Sequence, residues 1–121
     1  MTITLNHTIV PAVDNQAAAR FFATVMGLEY AGPDRHFAPV RVNSTLTLDF
    51  LTVPDPAGHH LAFDVEPAAF DGVLARLRAT GTPYGNDPSA PDNGRIDHPL
   101  CARGLYFTDD AGNLFEVMSP A

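Results

Sequence analysis

The chain has 121 residues, of which 45% are hydrophobic and 17% are charged, a length and balance that are typical of one globular domain and exclude a disordered chain. Its 7 basic and 14 acidic residues give a net charge of -7, which argues against nucleic acid or an anionic membrane as the main partner, because both select for basic patches. The lone Cys101 excludes an intrachain disulfide and a cysteine-rich zinc site. We see no signal peptide and no apolar run near the roughly 18 residues of a membrane span, so we expect a cytoplasmic protein.

The first half of the chain predicts a strand, a helix and then short strands. Residues 2–13 are rich in β-branched side chains, which favours a strand. A helix is predicted next, with Asp14 as its N-cap and Gly27 just after its last turn. Its apolar face consists of Ala18, Phe21, Phe22 and Val25. Three short strands divided by turn residues follow, in LEYAG, HFAPVRVN and STLTLDFLTV.

The same order starts again near Pro54 to Gly58. HHLAFDV predicts a strand, and EPAAFDGVLARLRATG predicts a helix with Pro67 near its first turn and Gly81 after its last. The buried stripe of this helix consists of Phe70, Val73, Leu74 and Leu77. Another strand begins in TPYGN, and a long loop rich in Pro, Gly and Asn follows it. Two further strands, RGLYFTD and NLFEVMS, close the chain around the turn DDAGN.

The order β-α-β-β-β thus occurs twice, in a first module over about residues 1–54 and a second module over about residues 58–121. Each half alone is too small to bury a good core, so the halves should pack together or pair with halves of a second chain. We therefore predict the α+β fold class, as a single domain of two βαβββ modules. The modules would form a cup-shaped, mostly antiparallel sheet with the helices outside.

Polar residues inside apolar strands are the candidate functional positions. Neighbouring side chains of a strand point to opposite faces, so Leu61 and Phe63 should face the helix while His60 faces the cup. The same alternation places Glu116 in the cup, and His7 interrupts the first strand of the first half. Two imidazoles and one carboxylate would suit one divalent metal ion, Fe, Mn, Zn or Ni. The alternative is that each is an ordinary half-buried or solvated strand residue.

The sequence resembles the vicinal oxygen chelate superfamily, which includes glyoxalase I, extradiol dioxygenases, and fosfomycin- and bleomycin-resistance proteins. The resemblance lies in LNHTIVPAVDNQAAARFFATVMGLEY, HHLAFDV, FDGVLARLRATG and GLYFTDDAGNLFEVMSP. It implies paired βαβββ modules, a cup-shaped site and a homodimer. In metal-using members the ligands come from the first strand of each module and the last strand of the second. Carried over, the metal ligands are His7, His60 and Glu116, and His59 lies outside the cup or at its edge.

The resemblance also suggests residues around the metal. Glyoxalase-like members have a fourth protein ligand, for which Asp49 is the nearest acid, but we favour Asp49 as a residue that lines the pocket or faces solvent. The long loop before the last two strands would lie over the opening of the cup. His98, Arg103 and Tyr106 are then candidates for acid–base work, anion contact and hydrogen bonding to substrate. The alternative is a solvated loop. Gly104 would permit a close approach of the backbone.

These observations predict a divalent-metal-dependent enzyme of glyoxalase or dioxygenase type that acts on a small oxygen-chelating substrate. The sequence leaves open whether the reaction is that of a lyase, an isomerase or a dioxygenase. A metal-free protein that sequesters a small molecule or antibiotic, of the bleomycin-resistance type, is the alternative. A structural or regulatory module with a vestigial site is a third interpretation.

Overall fold

The computed structural model describes residues 1–120, and these contain two helices and six strands. Both halves have the same order of a strand, a helix and two strands, so the predicted repetition is confirmed. Within the described residues no helix has the length and apolar character that crossing a membrane requires. The elements are β1 (His7–Ala12), α1 (Asn15–Met26), β2 (Phe37–Arg41), β3 (Thr47–Thr52), β4 (His60–Asp64), α2 (Pro67–Thr80), β5 (Arg103–Thr108) and β6 (Leu114–Ser119).

Each half forms a three-stranded sheet with the same topology. In the first sheet β3 lies between β1, which is parallel to it, and β2, which is antiparallel. In the second sheet β6 lies in the same way between β4 and β5. The α+β class with two related modules is confirmed. Each sheet is mixed rather than mostly antiparallel, because the outer strand that precedes the helix runs parallel to the central one.

The first strand predicted after each helix is not formed as a regular strand. Residues 28–33 have no regular secondary structure. Residues 82–86 contribute a single bridge, in which Gly85 exchanges backbone hydrogen bonds with Tyr106 of β5. Glycine and proline in these short segments supply no side chain to pack or no N–H to donate, and both weaken a strand. In the second half, the strand predicted after the helix is therefore reduced to a single bridge beside β5.

The helix boundaries agree with the predicted caps. A carboxylate oxygen of Asp14 accepts hydrogen bonds of 3.1 and 3.2 Å from two backbone N–H groups in the first turn of α1. The helix ends at Gly27, whose φ of +72° is in the left-handed region. Helix α2 begins at Pro67 and ends before Gly81, with φ of +66°. Its N-cap residue, Glu66, makes no capping hydrogen bond through its side chain.

One hydrophobic core joins the two halves. The ring of Phe22, in α1, lies 5.8 Å from that of Phe50 in the first sheet. It also lies 5.8 Å from the ring of Phe63 and 5.0 Å from that of Phe115, both in the second sheet. The predicted stripe of α2 is buried as well, and consists of Phe70, Val73, Leu74 and Leu77. Each sheet therefore has one face against the helices and leaves the opposite face for polar side chains.

Candidate functional site

The face of the second sheet opposite the helices carries the polar residues. Glu116 of β6 is paired in register with Ala62 of β4 and Tyr106 of β5, so these three side chains share that face. Phe115 and Val117, on either side of Glu116, are fully buried on the helix face. The alternation in β6 therefore directs one carboxylate away from the core, as the sequence predicted.

Glu116 lies among three other polar side chains. Its Oε1 lies 3.0 Å from Nε2 of His60, and its Oε2 lies 2.8 Å from Nε2 of His98. The hydroxyl of Tyr106 is close enough to the carboxylate to influence its pKa. We call His60, His98, Tyr106 and Glu116 the Glu116 cluster. The four residues come from β4, the loop before β5, β5 itself and β6.

The charge state of the cluster follows from these contacts. Burial raises the pKa of Glu116, but hydrogen bonds from His98, His60 and Tyr106 together lower it by more, so the net shift is downward. Burial, followed by the hydrogen bond and the charge of Glu116, raises the pKa of Tyr106 to about 12. At neutral pH the cluster therefore holds an ionised carboxylate beside a protonated phenol.

The two histidines of the cluster differ in their access to solvent. The side chain of His60 is 51% exposed, whereas that of His98 is 2% exposed. The ring of Tyr106 lies between these environments, 5.9 Å from the imidazole of His60 and 6.2 Å from that of His98. A ligand that arrives from solvent therefore meets His60 first, while His98 lies beneath the surface.

His7 and Asp49 lie on the first sheet, outside the Glu116 cluster. His7 is exposed on β1, and its Nδ1 lies 2.8 Å from the side-chain oxygen of Asn6. Asp49 is paired in register with Ile9, which places it on the same face of the first sheet as His7. Within one chain the structure does not bring His7 to His60 and Glu116.

Arg103 has a different position from the one predicted, because it faces the helices. Its guanidinium donates a 2.6 Å hydrogen bond to the carboxylate of Asp71 and a 3.3 Å hydrogen bond to the carbonyl of Pro67. The guanidinium carbon also lies 4.4 Å from the centre of the Phe70 ring. Strand alternation explains this, since Arg103 shares the helix face with the buried Leu105. Arg103 thus attaches α2 to β5 and is not part of the candidate site.

Asn113 supports the site and was not singled out from the sequence. Its side chain is fully buried just before β6. Its Oδ1 accepts a 2.9 Å hydrogen bond from the backbone N–H of His59, and its Nδ2 donates to the carbonyl of Pro11 at 2.8 Å. It thereby links the start of β4, which carries His60, to the end of β1. The available signal was the Asp-Asp-Ala-Gly-Asn turn, whose Asn precedes the strand of Glu116.

The donor atoms fit a divalent metal in part. Imidazole nitrogen and carboxylate oxygen are common ligands of iron, manganese, zinc and nickel in proteins, and His60 and Glu116 present one of each to the solvent-facing side. Over residues 1–120, no three or more His, Cys, Asp and Glu side chains are arranged to hold a metal ion. One chain therefore provides two of the three predicted donors in contact.

Comparisons with known proteins identify the family and the fold. The model of a glyoxalase-like domain matches residues 7–118, whereas no curated protein matches the sequence. Oxidase ChaP-H2 is 38% identical, with a TM-score of 0.91 over 100% of this chain and 96% of its own. Oxidase ChaP-H1 is 35% identical, with a TM-score of 0.90 over 99% and 98% of the two chains. A glyoxalase/dioxygenase from Nostoc punctiforme shares the fold at 21% identity, with a TM-score of 0.72 over 98% and 91%. The chain belongs to the glyoxalase-like family, within the vicinal oxygen chelate superfamily.

Proposed function

We propose that the chain is a divalent-metal-dependent enzyme with a glyoxalase-like fold that oxidises a small oxygen-chelating substrate, with dioxygen as the oxidant, as dioxygenases do. The observation that carries the proposal is the exposed imidazole of His60, which lies 3.0 Å from the ionised carboxylate of the buried Glu116. Similarity to two oxidases over nearly the whole chain supports oxidation rather than isomerisation. Oxidation favours iron or manganese among the candidate metals, because zinc has no redox chemistry.

In this proposal the residues of the Glu116 cluster have separate roles. His60 and Glu116 would hold the metal together with His7, and the bound metal would polarise the oxygen atoms of the substrate as a Lewis acid. Tyr106 keeps its proton beside Glu116, because its pKa is raised to about 12, and would be available as a hydrogen-bond donor. The exposed side of His60 leaves room for a substrate to approach from solvent.

A homodimer would bring His7 into the site. Within residues 1–120, β3 is the strand that pairs with β1, and the other edge of β1 carries no further strand, although the Asn113 side chain donates to the carbonyl of Pro11 there. His7 lies in a row of alternate residues that otherwise carries exposed apolar side chains, and we call these the N-terminal apolar row: Met1, Ile3, Leu5 and Ile9. Contiguous exposed apolar side chains of this kind are typical of protein–protein interaction sites. A second copy on this row would place His7 of one chain near His60 and Glu116 of the other.

Metal binding by the purified protein tests the proposal. We expect one iron or manganese ion per chain after anaerobic reconstitution, measured by elemental analysis. His60→Ala and Glu116→Ala should each lose most of the metal, because each removes a ligand. His59→Ala is the matched control, since it removes an exposed neighbouring imidazole outside the Glu116 cluster. If all three variants bind metal as the parent does, the proposal is wrong.

A metal-free binding protein is the second candidate function. It is favoured by the hydrogen bonds on Glu116, because both carboxylate oxygens have donors within the chain and the cluster is satisfied without a cation. In that case the exposed face around His60 would hold an organic ligand. Failure of every candidate metal to bind after reconstitution, together with retained small-molecule binding, would favour this function over the enzyme.

A further inference from the structure

We infer that His98 is a positioning residue for Glu116, and that it acts as an N–H donor whose orientation is held by the backbone of Leu100. The inference rests on the proposed function in one respect, namely that Glu116 is a metal ligand. It differs from the sequence prediction, in which His98 exchanged protons with the substrate. The inference is based on the hydrogen bonds of the two ring nitrogens of His98.

The hydrogen bonds of His98 determine which ring nitrogen carries the proton. The backbone N–H of Leu100 donates to Nδ1 of His98 over 3.1 Å. Because a backbone N–H can only donate, Nδ1 has to be unprotonated, and the proton of the neutral ring lies on Nε2. Nε2 lies 2.8 Å from Oε2 of Glu116. This nitrogen therefore donates to the carboxylate and has no lone pair for a metal.

The ring of His98 is held between a tight turn and β5. His98 and Cys101 form an isolated bridge, which closes the turn that presents the Leu100 N–H. On the other side lies Gly104, where a Cβ would be 2.5 Å from Cδ2 of the His98 ring. The backbone N–H of Gly104 donates to the carbonyl of Ile96 at 2.8 Å, so the strand and the loop are joined at this point. Only a residue without a side chain permits this approach.

This placement of His98 gives the two carboxylate oxygens of Glu116 different environments. The side chain of His98 is 2% exposed and both of its nitrogens are occupied, so it has no free atom for a substrate. It holds Oε2 and thereby fixes the plane of the carboxylate. Oε1 is hydrogen-bonded to the exposed His60, and it is the oxygen that a metal on the open side would reach by replacing that hydrogen bond. Partners of this kind orient metal ligands and raise metal affinity.

Cobalt(II) titration of His98 variants tests the role of the donor. His98→Phe keeps a ring but cannot donate, and we expect its cobalt affinity to fall by about 10–100-fold. His98→Gln retains an N–H donor and should recover most of this loss. His59→Phe, the matched control at an exposed histidine, should stay within about twofold of the parent. Unchanged affinity in His98→Phe, or an equal loss in the Phe and Gln variants, would overturn the inference.

NMR of the metal-free parent gives a readout that does not depend on metal. The ring-nitrogen chemical shifts of His98, assigned by their absence from His98→Gln, should show a proton on Nε2 and an unprotonated Nδ1. A proton on Nδ1 would overturn the inference, whatever the variants do. If the parent binds no metal, the proposed function fails, while the ring-nitrogen shifts still decide whether His98 is the donor to Glu116.

Discussion

At the scale of single residues, one carboxylate gives two histidines different roles. His60 and His98 both contact Glu116 through Nε2, at 3.0 and 2.8 Å. Their side chains are 51% and 2% exposed, so the first faces solvent and the second lies inside the protein. Burial of an imidazole is tolerated when both nitrogens are hydrogen-bonded, and His98 meets this condition through Leu100 and Glu116.

Replacing Gly104 by alanine should disturb the His98 ring. The new Cβ would lie 2.5 Å from Cδ2 of that ring, and overpacking of this kind costs about 1–3 kcal/mol. We expect the free energy of unfolding, measured by urea denaturation, to fall by about this amount. In the double variant Gly104→Ala, His98→Ala the ring is absent, so the two single losses should add to more than the double loss. Additive losses would contradict the contact.

At the scale of elements, the two helices begin in different ways. Asp14 caps α1 with two side-chain hydrogen bonds, whereas Glu66 at the start of α2 makes none. Pro67 compensates in part at α2, because it fixes φ and has no N–H that needs a partner. A side-chain carboxylate also stabilises the tight turn between β5 and β6, where Asp109 accepts hydrogen bonds from Ala111 and Asn113.

The capping difference predicts unequal effects of two similar substitutions. Asp14→Ala removes the acceptor of two backbone N–H groups and should lower the free energy of unfolding by about 0.5–2 kcal/mol. Glu66→Ala removes a residue at the equivalent position that makes no capping bond, and should have a smaller effect. Urea denaturation of both variants checks this. An equal loss in the two variants would show that the cap of α1 contributes nothing specific.

The turn at Asp109 predicts a contribution to stability that depends on pH. Burial raises the pKa of Asp109 by more than the hydrogen bonds from Asn113 and Ala111 lower it. The folded protein therefore binds this proton more tightly than the unfolded chain does. The contribution is complete below the ordinary pKa of 3.8 and is lost as the pH rises through the higher folded value.

Comparison with Asp109→Asn isolates this contribution. Above pH 3.8 the free energy of unfolding of the parent should fall relative to that of the variant as the pH rises. Urea denaturation at a series of pH values measures the difference. A difference that is constant with pH, or that changes in favour of the parent, would contradict the raised pKa.

At the scale of the whole molecule, the two modules share a core but not a site. Phe22 connects both sheets through the core, while His7 and the Glu116 cluster lie on different sheets. The N-terminal apolar row surrounds His7 and is exposed in one chain. A twofold symmetric dimer in which each chain supplies His7 to its partner would cover the row and complete two sites.

Mixing two variants that each lack one metal ligand tests this arrangement. His7→Ala and Glu116→Ala each remove a ligand from every site of a homodimer. In a mixed dimer one of the two sites would contain both native ligands. If the two variants are unfolded and refolded together, about half of the dimers are mixed, so about a quarter of the parent's metal should return. Each variant refolded alone is the control. If mixing restores no metal although mixed dimers form, the site does not combine His7 and Glu116 from different chains.

Local patterns in the sequence determined the repeated modules, the helix caps, the stripe of α2 and the outward faces of His60 and Glu116. Each depends on a short period or on one cap residue, which neighbouring residues alone specify. The same alternation indicates that Arg103 faces the helices, since Leu105 and Phe107 share its face. Arg103 was instead assigned to the loop over the site, and for that reason a contact with substrate was predicted.

Which side chains meet depends on how the strands, helices and loops pack together. The contact between His98 and Glu116 spans 18 residues, and that between His60 and Glu116 spans 56. Such contacts depend on sheet register, on the turn at Leu100 and on the space left by Gly104. The separation of His7 from the cluster likewise follows from how the two sheets pack on shared helices. No periodicity encodes these arrangements, because they arise from the packing of elements that are distant in the chain.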